Sequence, residues 1–240
     1  MRVTILNLIV ITFLSSCSDK DQIKTYYNDG TLQSKGYVVD GVKQGLSEVY
    51  YKTGKLKEKG LWKNGKQEGK WLFYFPSGIL SAEIHFSDND QEGVSIFYHE
   101  NGEVKEKSEW VDGNLNGESK LYFDNGQLKQ VGSWKNGKKE GEFTSYYSSG
   151  HLMQRGQYSN GLETGKFLTY HENGELMSEL YWKEGKLTGK AKYYHENGAI
   201  EQEGEYKEGK FDGVWKIYDE QGVLISERTY SEGALLSETR

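Results

Sequence analysis

Glycine returns in this chain every 24 residues without a slip. The series runs Gly30, Gly54, Gly78, Gly102, Gly126, Gly150, Gly174, Gly198, Gly222. A sequence that repeats at such an interval folds as stacked copies of one small unit, each held by its neighbours, rather than around a single central core. Two further series keep the same beat. One is Gly41, Gly65, Gly113, Gly137, Gly161, Gly185, Gly209, Gly233, with Asn89 in the missing place; Asn is the next best residue at positive φ. The other is Gly45, Gly69, Gly93, Gly117, Gly141, Gly165, Gly189, Gly213.

Side chains follow the glycines. Four residues before the first glycine stands Tyr in every copy: Tyr26, Tyr50, Tyr74, Tyr98, Tyr122, Tyr146, Tyr170, Tyr194, Tyr218. Two residues after it stands an aliphatic, Leu32 to Leu224. Eight residues after it stands an aromatic, including Trp62, Trp110, Trp134 and Trp182, with Val38 the exception in the first copy. These Tyr and Trp columns are the expected structural core. The Gly54, Gly78, Gly102, Gly126, Gly150, Gly174 and Gly198 series is the expected set of turn formers.

Two stretches of aromatic and aliphatic residues per unit, separated by turn chemistry, describe a β-hairpin. Asn101-Gly102, Asn125-Gly126, Asn173-Gly174 and Asn197-Gly198 are hairpin signals, since both turn residues tolerate positive φ. The second turn holds the other two glycines, as in Asn64-Gly65-Lys66-Gln67-Glu68-Gly69. Helical repeats are excluded, because each interior Gly would cost a helix about 1 kcal/mol relative to Ala. The expectation is therefore an all-β, elongated, single-layer antiparallel meander of about nine hairpin repeats. Register stays open. A two-residue first turn puts Tyr and Leu on opposite sides, whereas a three-residue loop with a bulge puts them on one. The reading favours one face carrying Tyr, Leu and Trp together. The position after the Tyr varies (Tyr27, Phe75, His99, His171, Asp219 and others) and is the expected seat of specificity.

The unit reads Tyr-x-x-x-Gly-x-Leu-x-x-x-Gly-x-Trp-x-x-Gly-x-x-x-Gly, with the middle Gly present only as Gly36, Gly60, Gly132, Gly156 and Gly204. This resembles the MORN-repeat variant of many bacterial proteins, some of them antitoxins of toxin–antitoxin systems. The resemblance spans about residues 24–240, nearly the whole mature chain, and implies an array that binds rather than catalyses.

The amino terminus is built differently. Arg2 precedes a mostly apolar run, Ile5 to Leu14, too short to span a bilayer as a stable helix. A short basic segment before an apolar one is the anatomy of a signal peptide, helical before cleavage. The following Leu14-Ser15-Ser16-Cys17 is similar to the lipobox of bacterial lipoproteins. That resemblance implies cleavage between Ser16 and Cys17 and a diacylglyceryl group on the Cys17 thiol. Ser18, where Asp would retain an enterobacterial lipoprotein in the inner membrane, implies the outer membrane. Residues 1–16 are thus read as signal peptide, 17–24 as a lipidated polar tether and 25–240 as the repeat array.

Composition narrows the function. With 14% aromatic residues, the chain does not read as disordered. After loss of the signal the net charge is −7, with Lys and Glu interleaved and no basic stripe, so nucleic acid is not an expected partner. The His-Glu-Asn-Gly motifs at His99, His171 and His195 read as solvated residues beside turns, not as metal ligands. Equivalent sites in adjacent repeats lie about 9.6 Å apart by strand spacing, too far to share a Zn²⁺ at about 2.0–2.1 Å per ligand. No nucleophile elbow, phosphate loop or calcium loop is present. The sequence therefore predicts no metal, no cofactor and no catalysis. It predicts a membrane-anchored scaffold for a protein partner, antitoxin-like or immunity-like in one version, with envelope glycan or lipid head groups as the alternative ligand.

Overall fold

The computed structural model describes residues 10–11 and 20–240. The signal cleavage point at Ser16 and Cys17, and the lipid attachment, lie outside the described residues. Of the expected signal helix only Val10–Ile11 is described. These two β-branched residues form a short strand, not a helix, antiparallel to Lys24 and Ile23. Residues 21–24, read above as tether, are already strand: Asp21–Tyr26 pairs along Leu32–Val39.

Every regular element among the described residues is a β-strand. The chain divides into two compact units, one ending at Asn114 and the other beginning at Leu115. Within each, neighbouring strands pair antiparallel in sequence order, as an all-β meander of hairpins one layer thick.

One hairpin, Leu56–Lys63 with Lys66–Tyr74, shows how the repeat is built. Its tip is Asn64-Gly65, with φ of 52° and 79°. Both tip residues lie in the left-handed region, the signature of a two-residue type I′ turn whose twist matches that of the strands. The equivalent residue is Asp, Asn or Glu in every copy, always at positive φ, from Asp40 to Glu232. The following strand is offset after Lys59↔Leu72, with Leu61↔Glu68 next, so that Gly60 falls inside the irregularity.

The other turn is different, although it too carries Asn-Gly in several copies. Tyr51 N–H donates to Lys55 C=O and Gly54 N–H to Tyr51 C=O, both at 2.8 Å. This frames a three-residue loop whose glycine alone has positive φ, 80° at Gly54. Asn101, Asn125, Asn173 and Asn197 are not at positive φ. Instead each side-chain oxygen accepts the N–H two residues on, at 2.9–3.0 Å, the usual Asx-turn bond.

Tyr50 pairs directly with Leu56, so the invariant Tyr and the aliphatic share one face, with a bulge beside them. Trp62 does not join them. Its ring packs edge-on to Trp71 at 5.4 Å between centroids, while the Tyr50 hydroxyl meets Glu48 and the Lys35 ammonium sits over the Tyr50 ring on the opposite side. The expectation of a single face for Tyr, Leu and Trp is therefore corrected. The bulge spends one residue between the aliphatic and the aromatic positions, and a shift of one residue exchanges faces in a strand.

The Trp face holds the core. Trp71 and Trp215 are 2% exposed, Phe167 5% and Phe143 6%. These occupy one repeat position, and edge-on contacts link them to the Trp and Tyr columns: Trp134–Phe143, Phe143–Tyr158, Tyr158–Phe167 and Tyr206–Trp215, with centroids 5.0–5.8 Å apart. Burying each such side chain contributes about 1.5–3 kcal/mol, and each ring pair adds about 0.5–1.5 kcal/mol. A one-layer sheet thus acquires a core along one face.

Candidate interaction surface

The repeat positions first suspected of function turn out to be occupied by structural bonds. The variable residue after the invariant Tyr is one. Tyr27, Tyr51 and Tyr147 each donate a phenol O–H to the backbone carbonyl of the Tyr 23 residues on, Tyr50, Tyr74 and Tyr170, all at 2.7 Å. His171 and His195 make the same bond from Nε2, to Tyr194 C=O at 2.9 Å and Tyr218 C=O at 3.1 Å. Since a carbonyl only accepts, Nε2 of both rings must carry its proton. The Tyr/His variation preserves a donor at these five positions, which stitch adjacent copies, whereas Phe75, Phe123 and Asp219 at the same repeat position carry no such donor. His99 stands at the same repeat position. Among the described residues no group of three or more His, Cys, Asp or Glu is placed to hold a metal.

The type I′ tips are stitched as well. Gly65 N–H donates to Lys43 C=O at 2.9 Å and Gly161 N–H to Lys139 C=O at 2.9 Å. Beside them Asn64 N–H donates to Gln44 Oε1 at 2.7 Å and Asn160 N–H to Glu140 Oε2 at 2.8 Å. The Glu or Gln before the third-series glycine therefore caps the next repeat's turn.

The Tyr face carries charge in register. Lys35 meets Glu48 at 2.5 Å and Lys166 meets Glu179 at 2.9 Å, and Lys70 pairs with Glu83. A Tyr hydroxyl joins each carboxylate, from Tyr50, Tyr181 and, at 3.1 Å, Tyr98. The Lys70 hydrogen bond, opposed by burial and helped by the Tyr98 hydroxyl, holds Glu83 below the ordinary carboxylate range. At Glu48 and Glu179 burial pushes upward, and the bonds from Lys and Tyr outweigh it. Tyr98 is raised by burial and by the Glu83 carboxylate.

An exposed strip overlaps these ladders: Lys70, Lys166 and Tyr181 belong to both, and His85 Nδ1 lies 3.2 Å from Val94 C=O. Directly opposed pairs on adjacent strands make it up: Leu46↔Leu61 and Lys70↔His85 in the first unit, Glu142↔Gln157 and Lys166↔Tyr181 in the second. All eight side chains are exposed, and their chemistry changes from copy to copy.

Of the residues singled out from sequence, Tyr50, Tyr74, Tyr98, Tyr122, Tyr146, Tyr170 and Tyr194 are half-buried on one face, and Trp62, Trp110, Trp134 and Trp182 are half-buried. Gly54, Gly78, Gly102, Gly126, Gly150, Gly174 and Gly198 all have φ between 80° and 94°. The sequence reading missed the Trp71 position, whose partner lies eleven residues earlier. Gly60, Gly132, Gly156 and Gly204 precede Trp71, Phe143, Phe167 and Trp215 by eleven. Where the glycine is replaced by Ile84 or Leu180, the later residue shrinks to Ser95 or Ala191.

These features define a class, the all-β hairpin-repeat protein with a glycine-framed turn at each end of its unit. Comparison with known families gives the membership. The MORN repeat variant model matches residues 43–64, 67–88, 91–112, 115–136, 139–160, 163–184, 187–208 and 211–232, and the chain belongs to that family. Eight tandem copies are matched, against nine counted by the first glycine, since the matched unit runs from one type I′ tip to the next and the Gly30 copy precedes the first of them. The MORN repeat model also matches residues 203–214. No curated protein sequence matches the chain. Among solved structures, a chain of "Crystal Structure of TcdB2-TccC3 without hypervariable C-terminal region" is 13% identical, with a TM-score of 0.22, over 87% of this chain and 13% of that one.

Proposed function

We propose that this protein is a non-catalytic binding scaffold of the bacterial cell envelope, anchored by lipid on Cys17 and recognising a protein partner. The observation that carries the binding reading is the exposed strip of opposed pairs that overlaps the ladders. The recurrent Tyr and turn glycines are taken up in holding the copies together, whereas this strip faces solvent and differs in chemistry along the array, and the extended faces of repeat proteins are where partners bind. Tyr181 on this strip belongs to the residue types enriched at interfaces. The anchoring reading rests on Leu14-Ser15-Ser16-Cys17 and the apolar run before it; Ser18 favours the outer membrane. An immunity-like role is the form of this proposal that the antitoxin resemblance suggests, and a neighbouring gene for a secreted toxin is its expected companion.

The test uses the full-length protein in its own membrane. A photo-crosslinking residue is placed at Lys70 or Lys166 on the strip, and at Ser95, which is buried, as control. The expected result is one protein adduct from the strip positions and none from position 95. Retention of the solubilised protein on an envelope glycan matrix, with no protein adduct, overturns the choice of partner. Separately, Cys17→Ser is expected to release the chain from membranes under a carbonate wash; persistence in the membrane fraction overturns the anchor.

A further inference from the structure

On the Trp face of the first unit one row of side chains departs from its copies. Ala82 pairs with Phe73 on one neighbouring strand and with Phe97 on the other. Strands lie about 4.8 Å apart, so two phenyl-bearing strands flank a residue whose side chain is a single methyl. In the other rows of this register the middle residue is larger or polar, or its neighbours are not both aromatic: Glu58 lies between Val49 and Phe73, Gln130 between Leu121 and Ser145, Gln202 between Tyr193 and Ile217. Packing of the repeat therefore does not require the Phe73–Ala82–Phe97 arrangement.

The result is an open cleft of about 370 Å³, lined chiefly by Phe73, Phe75, Ala82, Ile84, Phe97 and Lys105. It lies at the small end of ligand sites, room for one ring rather than an extended molecule. Its walls are mostly carbon, with Ser81 and Tyr98 the hydroxyl-bearing residues among them, and Lys105 is the one ionised side chain of the lining. A sugar ring would find few polar partners there. Phe75 adds a further mark. It stands where Tyr51 donates its hydroxyl to Tyr74 C=O, but phenylalanine has no hydroxyl, so Phe75 cannot give that bond to the Tyr98 carbonyl, as Phe123 cannot give it to Tyr146.

We propose that this cleft is a docking slot for one aromatic side chain bearing a donor, Trp or Tyr, on a partner protein, with an acidic residue beside it to meet Lys105. The slot rests on the protein-binding reading for its class of partner but is independent of the exposed strip on the other face. Aromatic anchors in apolar clefts carry much of the energy of protein interfaces, and the single cation fixes the sign of the neighbouring charge.

The test uses full-length protein labelled with 4-fluorophenylalanine and the peptide Gly-Trp-Gly-Asp-Gly, capped at both ends. The expected result is a saturable shift of the Phe73 and Phe97 fluorine signals. The Trp→Ala peptide produces none, and Asp→Lys binds at least tenfold more weakly. Ala82→Gln, which installs the residue found at positions 130, 154 and 202, is expected to weaken binding at least tenfold while leaving the melting temperature near that of the parent. Phe97→Leu, matching Leu121, serves as a second variant if Ala82→Gln unfolds. Equal response to the Trp and Ala peptides, or unchanged binding in both variants, overturns the slot. So does saturable binding of a chitin oligosaccharide in place of the peptide. If strip crosslinking to a protein partner persists in Ala82→Gln after the peptide result is negative, the slot fails and the broader function stands.

Discussion

The indole of Trp71 lies so close over Gly60 that a Cβ added to the glycine would sit 2.1 Å from ring atom Cδ2. The same relationship holds for Gly132 under Phe143, Gly156 under Phe167 and Gly204 under Trp215, at 2.3–2.4 Å. In these four repeats the patch over the glycine is filled once, by the large residue of the neighbouring strand. Gly60→Ala is expected to destabilise by about 3 kcal/mol, since a fully buried ring cannot retreat without displacing Trp62 and Phe86. Gly60→Leu combined with Trp71→Ala should recover much of the loss, because Leu180 with Ala191 is the same exchange made naturally. Urea midpoints of the four species in a double-mutant cycle measure this. Additive losses would show that the two residues do not share a space.

A second prediction concerns His171. Its Nε2 donates to Tyr194 C=O where other copies use a phenol. His171→Tyr is expected to change stability by less than about 0.5 kcal/mol, whereas His171→Phe, which keeps the ring and removes the donor, costs about 1 kcal/mol. Millimolar Zn²⁺ should leave the melting temperature of the parent unchanged. A rise on adding zinc that disappears in His171→Phe would return the His-Glu-Asn-Gly motifs to the metal reading.

Much of the architecture was legible because glycine and aromatic positions recur at one period, and a period of 24 with turn residues at fixed offsets admits hairpins and little else. What escaped the sequence was set by the relation between strands. Asn101-Gly102 and Asn64-Gly65 are the same dipeptide, yet only the second makes a type I′ turn. The Tyr50↔Leu56 pairing leaves five residues to span at the first turn, and the Asn side chain then serves as an acceptor instead of taking positive φ. The same bulge puts the Tyr and Trp columns on opposite faces, a choice that sequence spacing alone left open. The exchange between Gly60 and Trp71 was written in the chain as an eleven-residue offset, but it becomes a signal only once the strands are known to lie side by side.

The ladder of Lys, Glu and Tyr predicts an acid limb. Glu83 is held below the ordinary 4.5 by Lys70 and by the Tyr98 hydroxyl against the opposing effect of burial. A carboxylate depressed in the folded state adds stability above its unfolded value and loses it as pH falls through the folded value. Stability should therefore be flat from pH 7 to about 5 and decline below 4.5. Glu83→Gln is expected to cost about 1 kcal/mol at pH 7 and to flatten the decline. Melting temperatures from pH 7 to pH 3 measure both, and an unchanged acid slope in the variant would show that Glu83 titrates freely.

The type I′ tips give the last prediction. At Glu184, φ is 50°, a conformation in which a side chain crowds the following carbonyl and for which Asn pays less than Glu, because its short amide bonds locally to the backbone. Asn64, Asn136 and Asn160 hold the equivalent place in other copies at 49–52°. Glu184→Asn is accordingly expected to stabilise the second unit by about 0.5 kcal/mol, and Glu184→Val, β-branched and ill-suited to the left-handed region, to destabilise it by more than 1 kcal/mol. Chemical denaturation of the two variants against the parent decides the point. A Glu184→Asn protein less stable than the parent would mean that the Glu184 carboxylate contributes more through its charge, near Lys186, than its backbone costs.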